Sequence, residues 1–273
     1  MDELCIAMVS DVFFGGGGRE RLAARLLEAK DTGADLAVLP EIACNPWSPS
    51  TKNLREEDAE EFGGDRCSMQ SEVAKEVGIG LIGSAILKQN GSRFNTCLFW
   101  DEQGELLGTY QKHHIPEEDG FWETSHYSEG VEGFSTFQFR GFNIGIQICS
   151  DMNRSQGSHL LAAAGADVIV GPRSTELATY DKWRPVWIAN ALTTGCYICS
   201  VNRPEPEQDV LIGGNSIAVA PDGEVLIESC DAITVFTARQ STIKKARKDY
   251  PGYLPCRSDI YAQGWNAIKD NPR

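Results

Sequence analysis

Basic side chains are scarce in this sequence: 25 Lys and Arg stand against 39 Asp and Glu, a formal charge of −14. That sign repels phosphate backbones and anionic bilayer surfaces, which argues against nucleic acid or a membrane as a partner. No apolar stretch approaches the length needed to span a bilayer. The first residues, MDELCIAMVS, are acidic where a secretory leader would carry Lys or Arg, so a cytoplasmic location is expected. Only four histidines are present, without the spacing of a metal site, and neither a metal nor another cofactor is called for. Cysteine is not scarce, but a disulfide framework is missing. The nine cysteines are odd in number, and most sit inside apolar runs such as LCIAMV and NTCLFW, which suits reduced, packed thiols.

What is present is an alternation of strand and helix signals. LCIAMVSDV reads as a strand, and RERLAARLLEAKDTGA as a helix with Leu22, Leu26 and Leu27 at helical spacing and Gly33 placed to end it. DLAVLPEI is a second buried strand. The acidic segment REEDAEEFGGDRCSMQSEVAKEVG leads into a helix, and IGLIGSAIL is a strand. RFNTCLFWDEQGELLGTYQKH, then FSTFQF with FNIGIQIC, then GGNSIAVAPDGEVLIES have the pattern of hairpins. Between the last two lie SHLLAAAGA and DKWRPVWIANALTTG as helices, with DVIVGP and CYICSVN as strands. About ten strands of this kind predict an α/β fold of two mixed sheets covered by helices. With 41% hydrophobic residues over 273 positions, one domain spanning 1–273 is expected. Its tail, from about residue 244, is rich in Pro, Gly and aromatics and reads as an extended arm that packs on the body or on a second subunit.

Three strand ends carry reactive groups. DLAVL runs straight into Pro40 and Glu41, and a carboxylate held in a partly buried place acquires the raised pKa of a general base. In GTYQKHHIP, Lys112 closes a strand, where an ammonium can stabilise a developing oxyanion. NIGIQICSD ends an apolar strand on Cys149, a better nucleophile than a serine at neutral pH. Its thiolate would be favoured by a nearby cation and by the N-terminus of the helix that HLLAAAGA supplies. Each residue alone is more often a loop acid, a surface lysine or a packed thiol.

Read together with their flanks, the three resemble the carbon-nitrogen hydrolase (nitrilase) superfamily over nearly the whole chain. The resemblance rests on GADLAVLPE at 33–41, YQKHHIP at 110–116, GIQICSD at 145–151 and GADVIVGP at 165–172. IANALTTGCYICSVNR, GGNSIAVAPDGEV and RSDIY are similar to further family segments. It implies a four-layer α-β-β-α sandwich. It also implies that Glu41 is the general base, Lys112 the oxyanion stabiliser and Cys149 the nucleophile that carries the acyl group. Glu123 occupies the place of a further acid that orients the lysine or the substrate, and the backbone N–H of Ser150 would complete an oxyanion site. The reaction implied is cleavage of a small amide or N-carbamoyl compound with release of ammonia, by a homodimer or higher homo-oligomer. Two alternatives stay open: nitrile hydrolysis by the same trio, or a non-catalytic member of the fold that binds a small molecule.

Some residues depart from that pattern or compete with it. Amidase-type members have Cys-x-Asp-x-x-Phe-Pro-Glu and then an arginine three residues later, where this chain has Arg154-Ser155-Gln156 for Phe-Pro-Glu and His159 in the arginine's place. Ser150-Asp151 also differs from the Trp-Glu of nitrile-acting members, which favours an amide. Arg173 would either meet an anionic substrate group or form an internal pair. Trp122, Phe121 and His126, beside Glu123, would wall a pocket or simply pack. The run Gly15–Gly18 has the chain order of a phosphate cradle without its Gly-Lys-Ser/Thr ending, and reads as a flexible loop near the pocket mouth. Gly78 to Gly83 matches G-x-G-x-x-G but lies inside a strand after a helix, the reverse of the required order. Cys196 and Cys199 would face opposite sides of one strand, which suits neither zinc nor a dithiol.

Overall fold

The computed structural model describes residues 2–268. Two mixed sheets face each other. The first has the strand order Ile233–Arg239, Glu3–Val9, Leu36–Val38, Gly80–Gln89, Ser92–Trp100, Leu106–Gln111, with Glu60–Glu61 added alongside Gly80–Gln89. The second runs Val225–Ser229, Ser216–Val219, Tyr197–Asn202, Val168–Arg173, Phe142–Ile146, Thr136–Phe139.

The two-residue period of a strand assigns each side chain to a layer. Along Glu3–Val9, Leu4, Ile6 and Met8 enter the core between the sheets, where they join Phe99, Phe142, Ile144 and Ile146. Ala7 and Val9 point the other way, towards Leu22 and Leu26 of helix Gly18–Asp31 and Val73 and Ala74 of helix Asp65–Val77. Leu161 of helix Ser155–Ala163 and Trp187 and Ala191 of helix Tyr180–Thr194 cover the second sheet. The architecture is the expected α-β-β-α sandwich.

All three expected hairpins form: Ser92–Trp100 with Leu106–Gln111, Thr136–Phe139 with Phe142–Ile146, and Ser216–Val219 with Val225–Ser229. The strand count is higher than about ten. Beyond short pieces, the added strand is Ile233–Arg239, which pairs antiparallel with Glu3–Val9 along its whole length. Its side chains are mostly half-buried, so its apolar alternation is faint. The tail also differs from an extended arm: it contains helix Gln240–Ala246 and helix Ser258–Ile268. In the latter, Ile260, Tyr261, Trp265 and Ile268 recur at helical spacing, and no residue is buried. Residues 269–273 of the arm lie outside the described residues. Among the described residues no helix is long and apolar enough to cross a membrane.

Strands Leu36–Val38 and Leu106–Gln111 run in the same direction, because two antiparallel steps separate Leu106–Gln111 from Gly80–Gln89. Their C-terminal ends therefore open on one edge. Phe142–Ile146 and Val168–Arg173, parallel to each other in the second sheet, bring their C-terminal ends to that same edge, where the Glu41 N–H meets the Arg173 carbonyl at 3.4 Å.

Candidate active site

Glu41 follows its strand after Pro40 and is anchored from several sides. Its main-chain carbonyl accepts from Arg203 Nη1 at 3.0 Å, and the Ile42 N–H donates to Ser84 Oγ at 2.6 Å. Ile42 sits at φ +41°, a left-handed conformation that a β-branched residue adopts only under strong constraint. The constraint is Arg203, fully buried, whose fork also reaches the carbonyls of Ile42 at 3.2 Å and Asn45 at 2.8 Å while Glu207 holds its Nε at 2.7 Å.

Lys112 continues the strand pairing through its N–H to Asn95 O, and its ammonium is wholly buried. Nζ donates to Glu41 Oε1 at 2.7 Å and to Glu123 Oε2 at 2.5 Å. Burial alone would discharge the amine, but the carboxylates of Glu123 and Glu41 outweigh it and raise its pKa, so it stays an ammonium. Burial also pushes the Glu123 carboxyl up, to about 7, with Lys112 opposing the shift and Glu41 adding to it. Asn95 Nδ2 donates to Glu41 Oε1 at 2.8 Å, and the Tyr127 hydroxyl donates to Glu123 Oε2. One oxygen of each acid, Glu41 Oε2 and Glu123 Oε1, is buried and without a hydrogen-bond partner.

Cys149 begins a short 3-10 turn, Cys149–Asn153, at φ +48°. That left-handed residue ends the strand abruptly and stores on the order of 1–3 kcal/mol of strain. The turn is seated against Gly171, where an added Cβ would lie 2.0 Å from Met152 Sδ, so glycine alone permits this approach. Sγ donates to Ser174 O at 3.9 Å. The thiolate is favoured less than a nearby cation alone would make it. Burial raises the thiol pKa first and the Glu41 carboxylate raises it further, while Lys112 only partly opposes them. The 3-10 turn Cys149–Asn153 lies in sequence between Cys149 and helix Ser155–Ala163. Cys149 rests as a neutral thiol that needs a base.

Cys149, Ser150 and Glu123 line one cavity of about 600 Å3, and Lys112 Nζ joins Glu123 to Glu41 off that wall. Phe121 lines it too. Trp122 does not, because on the short strand Phe121–Trp122 neighbouring side chains point to opposite faces; its ring lies under Lys52 Nζ instead. His126 faces the Thr51 carbonyl at 2.7 Å, away from the cavity. Arg173 is directed inward. Its Nε donates to Ser200 Oγ at 3.0 Å, its two Nη groups donate to Thr175 Oγ1 and Asn215 O, and its plane stacks 4.6 Å from the Trp187 ring. With every nitrogen engaged by the fold, the reading of Arg173 as a ligand for an anionic substrate gives way to an internal role. Gly15–Gly18 also lies off the cavity wall: it leads into helix Gly18–Asp31, and Arg21 binds the carbonyls of Phe14 and Gly16. Among the described residues no cluster of three or more His, Cys, Asp or Glu could hold a metal, and all nine cysteines are unpaired.

Several structural partners went unread in the sequence. Asn95 and Tyr127 bind the carboxylates, Arg203 pins the Glu41 turn, and Asp151 collects donors from both sheets. Asn95, a lone amide among the apolar residues of RFNTCLFW, was the most legible of them.

The fold and the buried thiol, ammonium and carboxylates define a cysteine-hydrolase type of site. A family model described as carbon-nitrogen hydrolase matches residues 17–245, and the chain belongs to that family, whose members act on C–N bonds other than peptide bonds. The chain is 29% identical over 252 residues to the human protein named Omega-amidase NIT2, covering 89% of this chain and 90% of the relative. It is 31% identical over 219 residues to Omega-amidase NIT2-B of Xenopus laevis, covering 77% and 78%. Among solved structures, a carbon-nitrogen hydrolase from Helicobacter pylori G27 superposes with a TM-score of 0.86 over 96% of this chain and 98% of that one, at 21% identity, a likeness of fold.

Proposed function

We propose that the chain hydrolyses the C–N bond of a small amide or N-carbamoyl compound through an acyl-enzyme on Cys149. The observation that carries this reading is the neutral thiol on a cavity wall shared with Glu123, which Lys112 Nζ links to Glu41, with all three charged groups close enough to act on the sulfur. Glu41 takes the thiol proton as sulfur attacks the carbonyl carbon. Lys112, held charged by its two acids, stabilises the oxygen as it becomes an anion, aided by the Ser150 N–H. The tetrahedral species then expels the amine, which leaves with the proton from Glu41. Glu41 next activates a water, which attacks the thioester, and the sulfur departs and regains its proton. Glu123 keeps Lys112 aimed at the oxygen.

The orphaned Glu41 Oε2 favours an amide or carbamoyl NH2 over a nitrile. A buried acceptor without a donor costs about 1–3 kcal/mol, and an NH2 supplies donors where a nitrile has none. The relatives named ω-amidase support the same choice. The test is ammonia release from a panel of simple amides, carbamoyl amines and nitriles. Turnover of amides or carbamoyl compounds that disappears in Cys149→Ala supports the reading; turnover at the parent rate in that variant overturns it.

A homodimer or higher oligomer is proposed with it. The exposed apolar side chains of Tyr261 and Trp265 on a helix with no buried residue support self-association through the arm. Sedimentation of Trp265→Ser, which should lower the mass if the arm joins subunits, checks it.

A further inference from the structure

The cavity wall is unequal in charge. Glu118 and Asp119, exposed on the hairpin Glu117–Glu118/Phe121–Trp122, and the half-buried Glu176, just beyond strand Val168–Arg173, all line the cavity. Among the described residues none of the three makes an ion pair with a basic side chain. Glu176 is half-buried and its main chain is fixed, bridged to Ile212 and accepting from Thr179 at 3.1 Å. The only basic residue on the wall is Lys182, which is exposed. Arg173 is spent on Ser200, Thr175 and Asn215, and Lys112 on its two acids, so no buried cation faces the cavity uncommitted.

Two further observations give this charge a ligand. Glu123 is fully buried, lines the cavity and presents Oε1 with no partner. Trp183, stacked on Trp187 with centroids 5.6 Å apart, lines the same space. An aromatic face next to carboxylates is the surface that binds ammonium and guanidinium groups. Helix Tyr180–Thr194 opposes this with about half a positive charge at its N-terminus. Three full carboxylates outweigh it.

We propose that the cavity selects amides or N-carbamoyl compounds whose far end is a cation, ammonium or guanidinium, and discriminates against those that end in a carboxylate. The scissile carbonyl sits at Cys149 and Lys112, and the cation lies towards Glu176, Trp183 and the Glu118–Asp119 hairpin. This rests on the hydrolase reading above and goes beyond it by naming the substrate class.

The test is a matched series of amides and of carbamoyl amines with one chain length, ending in ammonium, methyl or carboxylate, assayed for ammonia release at low and high ionic strength. The expected order of kcat/KM is ammonium, methyl, carboxylate, with steps on the order of tenfold that shrink as salt screens them. Glu176→Gln should lower the ammonium-to-methyl ratio roughly tenfold through KM, and Glu176→Lys should shift the preference towards the carboxylate. Asp119→Asn, on the hairpin, repeats the test with a separate variant, and circular dichroism reports that each one folds. Ammonia release with the carboxylate preferred, or ratios unmoved in all three variants, overturns this inference and leaves the hydrolase reading standing. No ammonia from any member of the series overturns both.

Discussion

Asp151 Oδ1 accepts the main-chain N–H of His114 at 2.8 Å, and so ties the turn that carries Cys149 to the strand end that carries Lys112. The same buried carboxylate takes the Tyr110 hydroxyl at 2.9 Å, the His114 ring at 2.7 Å and the Ile148 N–H at 3.2 Å. Replacing it by an amide turns an NH2 donor towards some of these donors. Asp151→Asn should lose about 2–4 kcal/mol of unfolding free energy in urea. It should also lower kcat more than it raises KM, because the sulfur and the ammonium lose their common anchor. Unchanged kcat in a variant that has lost that stability would show that the link holds the fold and not the chemistry.

The neutral resting thiol makes a prediction about alkylation. Removing the Glu41 charge lowers the thiol pKa, yet removing the base takes away the proton acceptor, and the two effects oppose each other. If proton transfer governs, iodoacetamide should label Cys149 in Glu41→Gln on the order of a hundredfold more slowly than in the parent. Peptide mass mapping of the nine thiols measures it. Faster labelling in the variant would show that Glu41 acts only as a repelling charge.

Glu123, raised to about 7 chiefly by burial, gives stability a pH slope of known sign. Its carboxyl binds a proton more tightly folded than unfolded, so its contribution is fully present below about pH 4.3 and lost as pH rises through 7. The loss across that window is on the order of 3 kcal/mol. In Glu123→Gln this part of the slope should vanish. Denaturant unfolding at pH 4.5 and 7.5 on both proteins isolates it, and parallel curves would count against the raised carboxyl.

Arg203 pins three successive parts of the Glu41 turn with a rigid planar fork, a geometry that an ammonium cannot copy. Arg203→Lys should leave at least one of those buried carbonyls without a donor, costing about 1–3 kcal/mol. With the strained Ile42 freed, kcat should fall as well. Thermal unfolding together with turnover on one substrate checks both.

Strand-end chemistry was legible in the sequence where a reactive side chain follows an apolar run, as with Glu41, Lys112 and Cys149. The hairpins were legible because turn residues interrupt alternating strands. Strand Ile233–Arg239 was not, since a half-buried edge leaves little contrast between its two faces. The direction of Arg173 was equally hidden: one position selects the strand end, but whether the guanidinium points to the cavity or inward depends on Ser200 and Asn215, 27 and 42 residues away, as well as on nearby Thr175. The same holds for Arg203, whose targets lie about 160 residues back in the chain. The thiol's protonation state depends on how completely the second sheet is covered, which no local motif records.

The reacting groups hang from different platforms: acid and amine from one sheet, sulfur from the other. A slip of either slab by an ångström would part them without breaking a strand. Catalysis on warming should therefore fade before the ellipticity does, which makes turnover a gauge of how firmly the two halves of the sandwich stay in step.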